Sequence, residues 1–295
     1  MRREMIFFAA LAFTALVGVF AIWWNTQSVH ERGFFSFARF SERSPDQDPA
    51  SYIKGEFEKC LRTRIGWRSP CYKELGEVIS RQFTLRYSLA ALKKIESEPV
   101  IRGQCHSLTH FLAQNEFRKT KSIADTFNQC QIVCGEGCYH GAVEAYLEDA
   151  GLAGAGDAEI VPAIIGACDS AKQSPEKAVY NHCLHGIGHA LMLVTDLELP
   201  ASLKLCDVLR GQDEPERCYS GAFMENVFNA GNPDHPARFV KPEDPSYPCT
   251  ILDLRYQEIC YSSQATFVLG RSGQNFSEAM KFCGAIPSSF AESCF

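Results

Sequence analysis

The chain has 295 residues, of which 46% are hydrophobic and 22% are charged, so its composition is that of a folded globular protein and excludes wholesale disorder. Its 29 lysines and arginines are outnumbered by 35 aspartates and glutamates, which gives a formal net charge of -6. Because the chain also lacks a dense basic block, we expect no nucleic acid among its partners.

An uncharged apolar stretch from Met5 to Trp24 predicts a transmembrane helix close to the N-terminus. At about 1.5 Å per residue the stretch is roughly 30 Å long, which matches the hydrocarbon core of a bilayer. Arg2 and Arg3 favour a signal-anchor that leaves residues 1–4 in the cytoplasm and the rest of the chain outside it, in a periplasmic, extracellular or lumenal space. The alternative is a signal peptide that is cleaved on secretion, although the apolar region of such a peptide usually has only about 7–15 residues.

The segment that follows the apolar stretch predicts a tether to the folded domain. Residues 25–55 contain few aliphatic side chains and include the turn-forming dipeptides Ser44-Pro45 and Asp48-Pro49. We therefore predict a membrane-tethered, extracytoplasmic domain over residues 56–295. All fourteen cysteines lie within this domain, and an oxidising compartment favours their pairing in disulfides.

A degenerate repeat is visible from a cysteine that is followed, in its clearest copies, by an aromatic residue or leucine, then by His or Ser, and then by Gly. We call this the marker cysteine, and it recurs every 33–45 residues, which is the period of two-helix solenoid repeats. The sequence thus predicts an all-α, α-solenoid-like domain of tandem two-helix repeats. The Gly suits either a close approach of neighbouring helices or a relaxed first turn. The marker cysteines are Cys71, Cys105, Cys138, Cys183, Cys218, Cys260 and Cys294.

The repeat also predicts how the cysteines pair. A cysteine at the end of the second helix of one unit precedes the next marker by 11 to 15 residues in most units. The alternative for one group, Cys130, Cys134 and Cys138, is a metal-thiolate site, because their spacing would align them on a helix that Gly135 and Gly137 interrupt. The predicted disulfides are Cys60–Cys71, Cys168–Cys183, Cys206–Cys218, Cys249–Cys260, Cys283–Cys294, Cys130–Cys138 and, less directly, Cys105–Cys134.

Histidines at a spacing of four residues indicate a metal site. Residues at i and i+4 share one face of a helix, so two imidazoles, or an imidazole and a carboxylate, can bind one ion. This ligand set suits zinc, iron, copper or manganese. Glu144 would act either as a ligand or as a general base for metal-bound water. The predicted ligands are His106, His110, His140, Glu144, His185 and His189.

The position of these residues within the repeat strengthens the prediction. His140 and His185 both lie two residues after a marker cysteine, and Glu144 and His189 both lie six after it, so the four side chains should face the same surface. The pair formed by His106 and His110 is displaced by one residue, or about 100° around a helix. Whether this pair belongs to the metal site is therefore left open. His182 and Glu225 are weaker candidates for additional roles.

Two other functions fit the same pattern. The histidines can be structural, in which case the domain is a repeat scaffold whose surface binds a protein or a peptide. The metal site can instead be the centre of a metal-dependent enzyme. The sequence contains no His-Glu-x-x-His, Gly-x-Ser-x-Gly, phosphate-binding glycine loop or EF-hand pattern, so it does not select a reaction.

Overall fold

The computed structural model describes residues 39–63, 68–102, 104–231 and 236–294. The predicted cytoplasmic segment 1–4, the predicted anchor 5–24 and the first part of the predicted tether lie outside these ranges. Among the helices that are described, none has both the length and the hydropathy needed to span a membrane. The described residues from Phe40 onward belong to one compact unit.

All regular secondary structure in the described ranges is helical, as the sequence predicts. Short 3-10 helices at 134–136, 229–231 and 249–251 join some of the longer helices. In chain order the α-helices are α1 (Pro49–Leu61), α2 (Arg68–Gln82), α3 (Leu85–Ile95), α4 (Cys105–Thr120), α5 (Ile123–Gln129), α6 (Gly137–Asp149), α7 (Asp157–Ala167), α8 (Asp169–Lys172), α9 (Lys177–Val194), α10 (Leu199–Cys206), α11 (Glu214–Phe228), α12 (Leu254–Arg271), α13 (Phe276–Ala285) and α14 (Ser288–Cys294).

The folded domain begins inside the segment 25–55 that the sequence indicates as a tether. Asp48 caps α1 by accepting a hydrogen bond from the backbone N–H of Ser51, and Pro49 occupies the first helical turn. The dipeptide Asp48-Pro49, which resembles a turn signal in the sequence, is therefore the start of a helix, because Asp is favoured at the N-cap and Pro directly after it. Tyr52 and Ile53 of α1 are buried in the core.

The longer helices that carry marker cysteines pack against one another in succession. The contacts run from α2 to α4, then to α6, α9, α11 and α12. α6 and α9 are the central members of this series, and residues 137–145 of α6 are buried without interruption. Polar side chains on α6 and α9 are thereby forced into the interior, where they must find hydrogen-bond partners or a bound ion.

Glycines let the central helices approach each other closely. A Cβ atom added at Gly141 would lie 2.2 Å from the backbone oxygen of His110 on α4, and one added at Gly221 would lie 1.9 Å from that of His185 on α9. Real Cβ atoms do not approach other atoms this closely, so no other residue fits without moving a helix. Of the two roles that the sequence allows for this Gly, the structure supports the close approach of neighbouring helices.

Seven disulfides cross-link the domain, and they are the seven that the repeat predicts. The pair that is predicted less directly, Cys105–Cys134, is among them, as is Cys130–Cys138. All fourteen cysteines lie in described residues and none is free, so the alternative thiolate metal site is excluded. The remaining pairs are Cys60–Cys71, Cys168–Cys183, Cys206–Cys218, Cys249–Cys260 and Cys283–Cys294.

Candidate metal centre

Five imidazole rings from three neighbouring helices meet in the core. α4 contributes His106 and His110, here called the N-terminal pair, and α9 contributes His185 and His189, here called the C-terminal pair. His140 on α6 lies beside both pairs, and its ring centroid is between 4.6 and 5.4 Å from the other four. We call the five residues together the histidine cluster.

The N-terminal pair directs two ring nitrogens at each other. His106 Nδ1 lies 2.9 Å from the backbone oxygen of Cys134, and His110 Nδ1 lies 2.9 Å from Glu144 Oε1. Because both oxygens accept hydrogen bonds, the two Nδ1 atoms carry the donated protons, and Nε2 is the basic nitrogen of each neutral ring. The two Nε2 atoms are 2.9 Å apart, which places two lone pairs where a cation can bind both.

The C-terminal pair repeats this geometry. His189 Nδ1 lies 2.7 Å from Glu225 Oε2, and His189 Nε2 lies 3.1 Å from His185 Nε2. A carboxylate that accepts from the far nitrogen of a histidine fixes the orientation of the ring and leaves the near nitrogen available as a ligand. Each pair thus has one ring that is oriented by a glutamate of the next long helix in the series.

Both glutamates are themselves held by side-chain amides. Gln114 Nε2 donates to Glu144 Oε2 over 2.8 Å, and Asn229 Nδ2 donates to Glu225 Oε1 over 2.6 Å. Each carboxylate therefore accepts one hydrogen bond from an imidazole and one from an amide. This arrangement fixes the carboxylates in place, as is usual for the residues that surround metal ligands.

His140 differs from the other four rings because it has no hydrogen-bond partner in the described structure. The residue is only 3% exposed, and both Nδ1 and Nε2 are buried and have no hydrogen-bond partner. Buried side-chain nitrogens of native proteins are nearly always hydrogen-bonded or bound to an ion. The two nitrogens of His140 are thus unsatisfied polar atoms in the middle of the histidine cluster, where a bound ion would satisfy them.

Three groups in the described residues have ligand atoms close enough to hold a metal ion, and in each group these atoms lie within 4.8 Å of one another. Two groups consist of a histidine pair with His140, and the third joins both glutamates to one histidine. All six residues that the sequence nominates are in at least one group. The groups are His106–His110–His140, His140–His185–His189 and Glu144–His189–Glu225.

Burial keeps most of the cluster neutral. Burial, followed by the charges of the neighbouring histidines, lowers the pKa of His106 to about 3 and holds the pKa values of His140 and His185 well below their usual range. Burial also disfavours a charged His110, but the charge and hydrogen bond of Glu144 outweigh it and raise the pKa of His110. The same contact outweighs the effect of burial on Glu144 and lowers its pKa. The ring nitrogens of His106, His140 and His185 therefore stay available to a metal at neutral pH.

We expect the metal-free protein to lose stability as the pH falls below about 6.5, the usual pKa of histidine. Below this pH the histidines of the unfolded chain take up protons, whereas the buried rings of His106, His140 and His185 do not. Each of these rings should therefore lower the free energy of unfolding by about 2 kcal/mol at pH 5 relative to pH 7. His110 offsets part of this loss, because its raised pKa lets the folded state take up one proton more readily than the unfolded chain does. Urea unfolding of chelator-treated protein at the two pH values measures the effect.

The control for this prediction is the His106→Gln/His185→Gln variant, which lacks two of the three depressed imidazoles. Its unfolding free energy should depend less steeply on pH than that of the wild type. Equal slopes for the two proteins would contradict neutral, buried rings in the metal-free state.

A cleft of about 330 Å³ reaches the cluster from the surface. His140 and His185 line it from inside, and the exposed residues Gly135 and Arg217 line it further out. His182, a weaker candidate from the sequence, also lines the cleft, and its ring lies 6.2 Å from that of His140. A small molecule can thus approach the cluster on the side of His140 and His185.

Sequence reasoning does not identify several residues of the site. Gln114 and Asn229, which hold the two glutamates, carry no pattern that separates them from other polar helix residues. The backbone oxygen of Cys134 has no sequence signature at all. Glu225 was recognisable because it lies one residue beyond the position that is equivalent to Glu144 and His189.

The fold and the site define the chain as an all-helical, disulfide-linked protein with a buried histidine cluster beside two glutamates. Comparisons with protein-family models, with curated proteins and with solved structures find no match for it. Its function must therefore be argued from the geometry and chemistry of the cluster itself.

Proposed function

We propose that the protein is an extracytoplasmic, α-solenoid-like metalloprotein whose histidine cluster binds a divalent transition metal. The observation that carries this proposal is His140, whose two ring nitrogens are buried without a partner beside two histidine pairs. A purely structural role for the cluster would leave these nitrogens and the facing Nε2 atoms poorly satisfied, at a cost of about 1–3 kcal/mol for each unpaired group.

The ligand chemistry narrows the choice of metal. Imidazole nitrogens predominate and every cysteine is in a disulfide, so a thiolate-bound metal is not expected. Imidazole suits zinc, copper and iron, whereas manganese favours oxygen ligands. We therefore rank zinc, copper and iron above manganese among the four metals that the sequence suggests.

The cleft supports an accessible metal centre rather than a closed structural site. A catalytic metal site keeps one position open to water or substrate, and here the cleft meets the cluster at His140 and His185. The protein is then a metal-dependent enzyme in which the bound ion would polarise a substrate or activate a water molecule. Because both oxygens of Glu144 already accept hydrogen bonds, we assign Glu144 a positioning role toward His110 in preference to that of a general base.

The proposed location follows from the N-terminal apolar stretch together with the disulfides. Seven disulfides in one domain are typical of an oxidising compartment. We propose that residues 5–24 anchor the protein in a membrane and that the helical domain lies outside the cytoplasm. Secretion after cleavage is the alternative.

A repeat scaffold that binds a protein or peptide is the second candidate function. It is favoured by exposed apolar side chains near the C-terminus, such as Phe276 and Met280, which lie one turn apart on α13 and are 69% and 55% exposed. Such side chains are common at protein-binding surfaces. Under this alternative the histidines are structural and no metal binds.

Metal analysis of the full-length protein, produced in an oxidising compartment and purified in detergent, separates the two functions. After incubation with zinc, copper or iron and desalting, we expect retained metal in the wild type. The variant His106→Gln/His110→Gln/His185→Gln/His189→Gln should retain none. The control Ser262→Ala/Thr266→Ala changes the equivalent, exposed positions of α12 and should bind like the wild type. A wild type that retains no metal would overturn the proposal and favour the scaffold.

A further inference from the structure

The histidine cluster is divided into two halves that have one residue in common. Each half combines a histidine pair on one helix with His140, and no group of described ligands includes both pairs. Metal–nitrogen bonds are about 2.0–2.1 Å long, so two ligand atoms of one ion are at most about 4.2 Å apart. A single ion therefore cannot bind all five rings in their present arrangement.

The surroundings of the two halves have the same construction. In the first, Glu144 accepts from His110 and from an amide, and in the second, Glu225 accepts from His189 and from an amide. One ion would need only one such carboxylate-oriented pair.

His140 has the chemistry to join the halves. A single ion would occupy one of its nitrogens and leave the other buried and unpaired. If the ring loses its N–H proton to solvent as the second ion binds, both nitrogens become ligands and the ring becomes an imidazolate. We propose that the histidine cluster holds two transition-metal ions, one for each histidine pair, bridged by the His140 imidazolate. This inference rests on the proposed metal-binding function.

The third group, Glu144–His189–Glu225, offers a different place for a second ion. An ion there would have to displace hydrogen bonds that now reach the carboxylates from His110 and from His189. It would not involve the nitrogens of His140. The two arrangements therefore differ in their dependence on His140 and in whether the two ions are magnetically coupled.

Copper(II) is a suitable probe because imidazolate-bridged copper(II) ions are antiferromagnetically coupled. We expect the metal-free, full-length protein to retain two copper ions per chain after desalting, with an integrated EPR intensity well below that of two isolated ions. The His106→Gln/His110→Gln and His185→Gln/His189→Gln variants should each retain one ion with full EPR intensity. His140→Phe should abolish the coupling and weaken the retention of both ions.

The other outcomes separate this inference from the function on which it rests. One retained ion per wild-type chain would overturn the two-ion centre and leave the metalloprotein proposal in place, whereas no retained ion would overturn both. Two ions with full EPR intensity in the wild type, unchanged in His140→Phe, would overturn the bridge and assign the second ion to the glutamates. Far-UV circular dichroism verifies that each variant is folded.

Discussion

Replacing Gly221 with alanine is expected to lower the free energy of unfolding by at least about 3 kcal/mol, the upper range for forcing extra atoms into a packed interior. The added Cβ would lie 1.9 Å from the backbone oxygen of His185, and a backbone atom cannot move away as the end of a flexible side chain can. α11 must therefore shift from α9. Because Glu225 lies on α11, the shift also withdraws the carboxylate that orients His189, and metal affinity should fall with stability.

Gly55→Ala is the matched control, because Gly55 lies in the interior of α1 and no atom of another residue lies within 4 Å of the position that an added Cβ would take. Alanine there should raise the free energy of unfolding by about 0.5–1 kcal/mol through the lower entropy of the unfolded chain. Urea unfolding and copper retention of both variants measure the two effects. If Gly221→Ala were as stable and as well loaded with metal as the wild type, α9 and α11 would not approach as closely as described.

The disulfide pattern was predictable from the sequence because it depends on local geometry. In most cases the two cysteines are separated by a short segment, 11 residues for Cys60–Cys71 and 15 for Cys168–Cys183, so each pair joins the end of one unit to the marker cysteine of the next across a short connection. Once five pairs are assigned in this way, few arrangements remain for the other four cysteines. The prediction needed the order of the helices and little of their packing.

The place of the N-terminal pair was harder to predict, because the marker cysteine is a poor reference for helix register. α4 begins at Cys105 itself, whereas α9 begins six residues before Cys183. What sets the position of the pair is contact between helices. Gly137 and Gly141, one turn apart on α6, face the backbone oxygens of His106 and His110, which are also one turn apart. This glycine spacing is present in the sequence, but only the packing reveals which helix it contacts.

The unpaired nitrogens of His140 could not be predicted at all. Sequence spacing places His140 on the same face as its neighbours, but it does not tell whether a carboxylate or a carbonyl oxygen also reaches the ring. For His106 the partner is a backbone oxygen 28 residues away, and for His189 it is a glutamate 36 residues away. Whether a buried imidazole is left for a metal therefore depends on tertiary contacts that only the fold determines.

Removing the Cys105–Cys134 disulfide by Cys105→Ala/Cys134→Ala is expected to affect both stability and the metal centre. The bond joins residues 29 apart, and its loss should lower the free energy of unfolding by about 3.5 kcal/mol according to the chain-entropy relation. Cys134, Gly135 and Glu136 all have left-handed φ angles of 53°, 64° and 60°, a strained conformation for the two that are not glycine. Without the disulfide this segment can relax, and the oxygen of residue 134 then leaves His106 Nδ1.

Loss of that hydrogen bond removes the contact that orients the His106 ring, and changes of this kind typically reduce metal affinity by about 10–100-fold. The control Cys283→Ala/Cys294→Ala removes a disulfide between residues 11 apart, in helices that contribute nothing to the histidine cluster, and should cost about 3 kcal/mol. Both variants keep an even number of cysteines, so neither leaves an unmatched thiol. Copper affinity, measured by competition with a chelator, should fall only in the first variant. An equal loss of copper affinity in both variants would mean that the Cys105–Cys134 disulfide acts on the metal centre through global stability alone. If both variants kept the copper affinity of the wild type, the Cys134 oxygen would not be needed to hold His106 for binding.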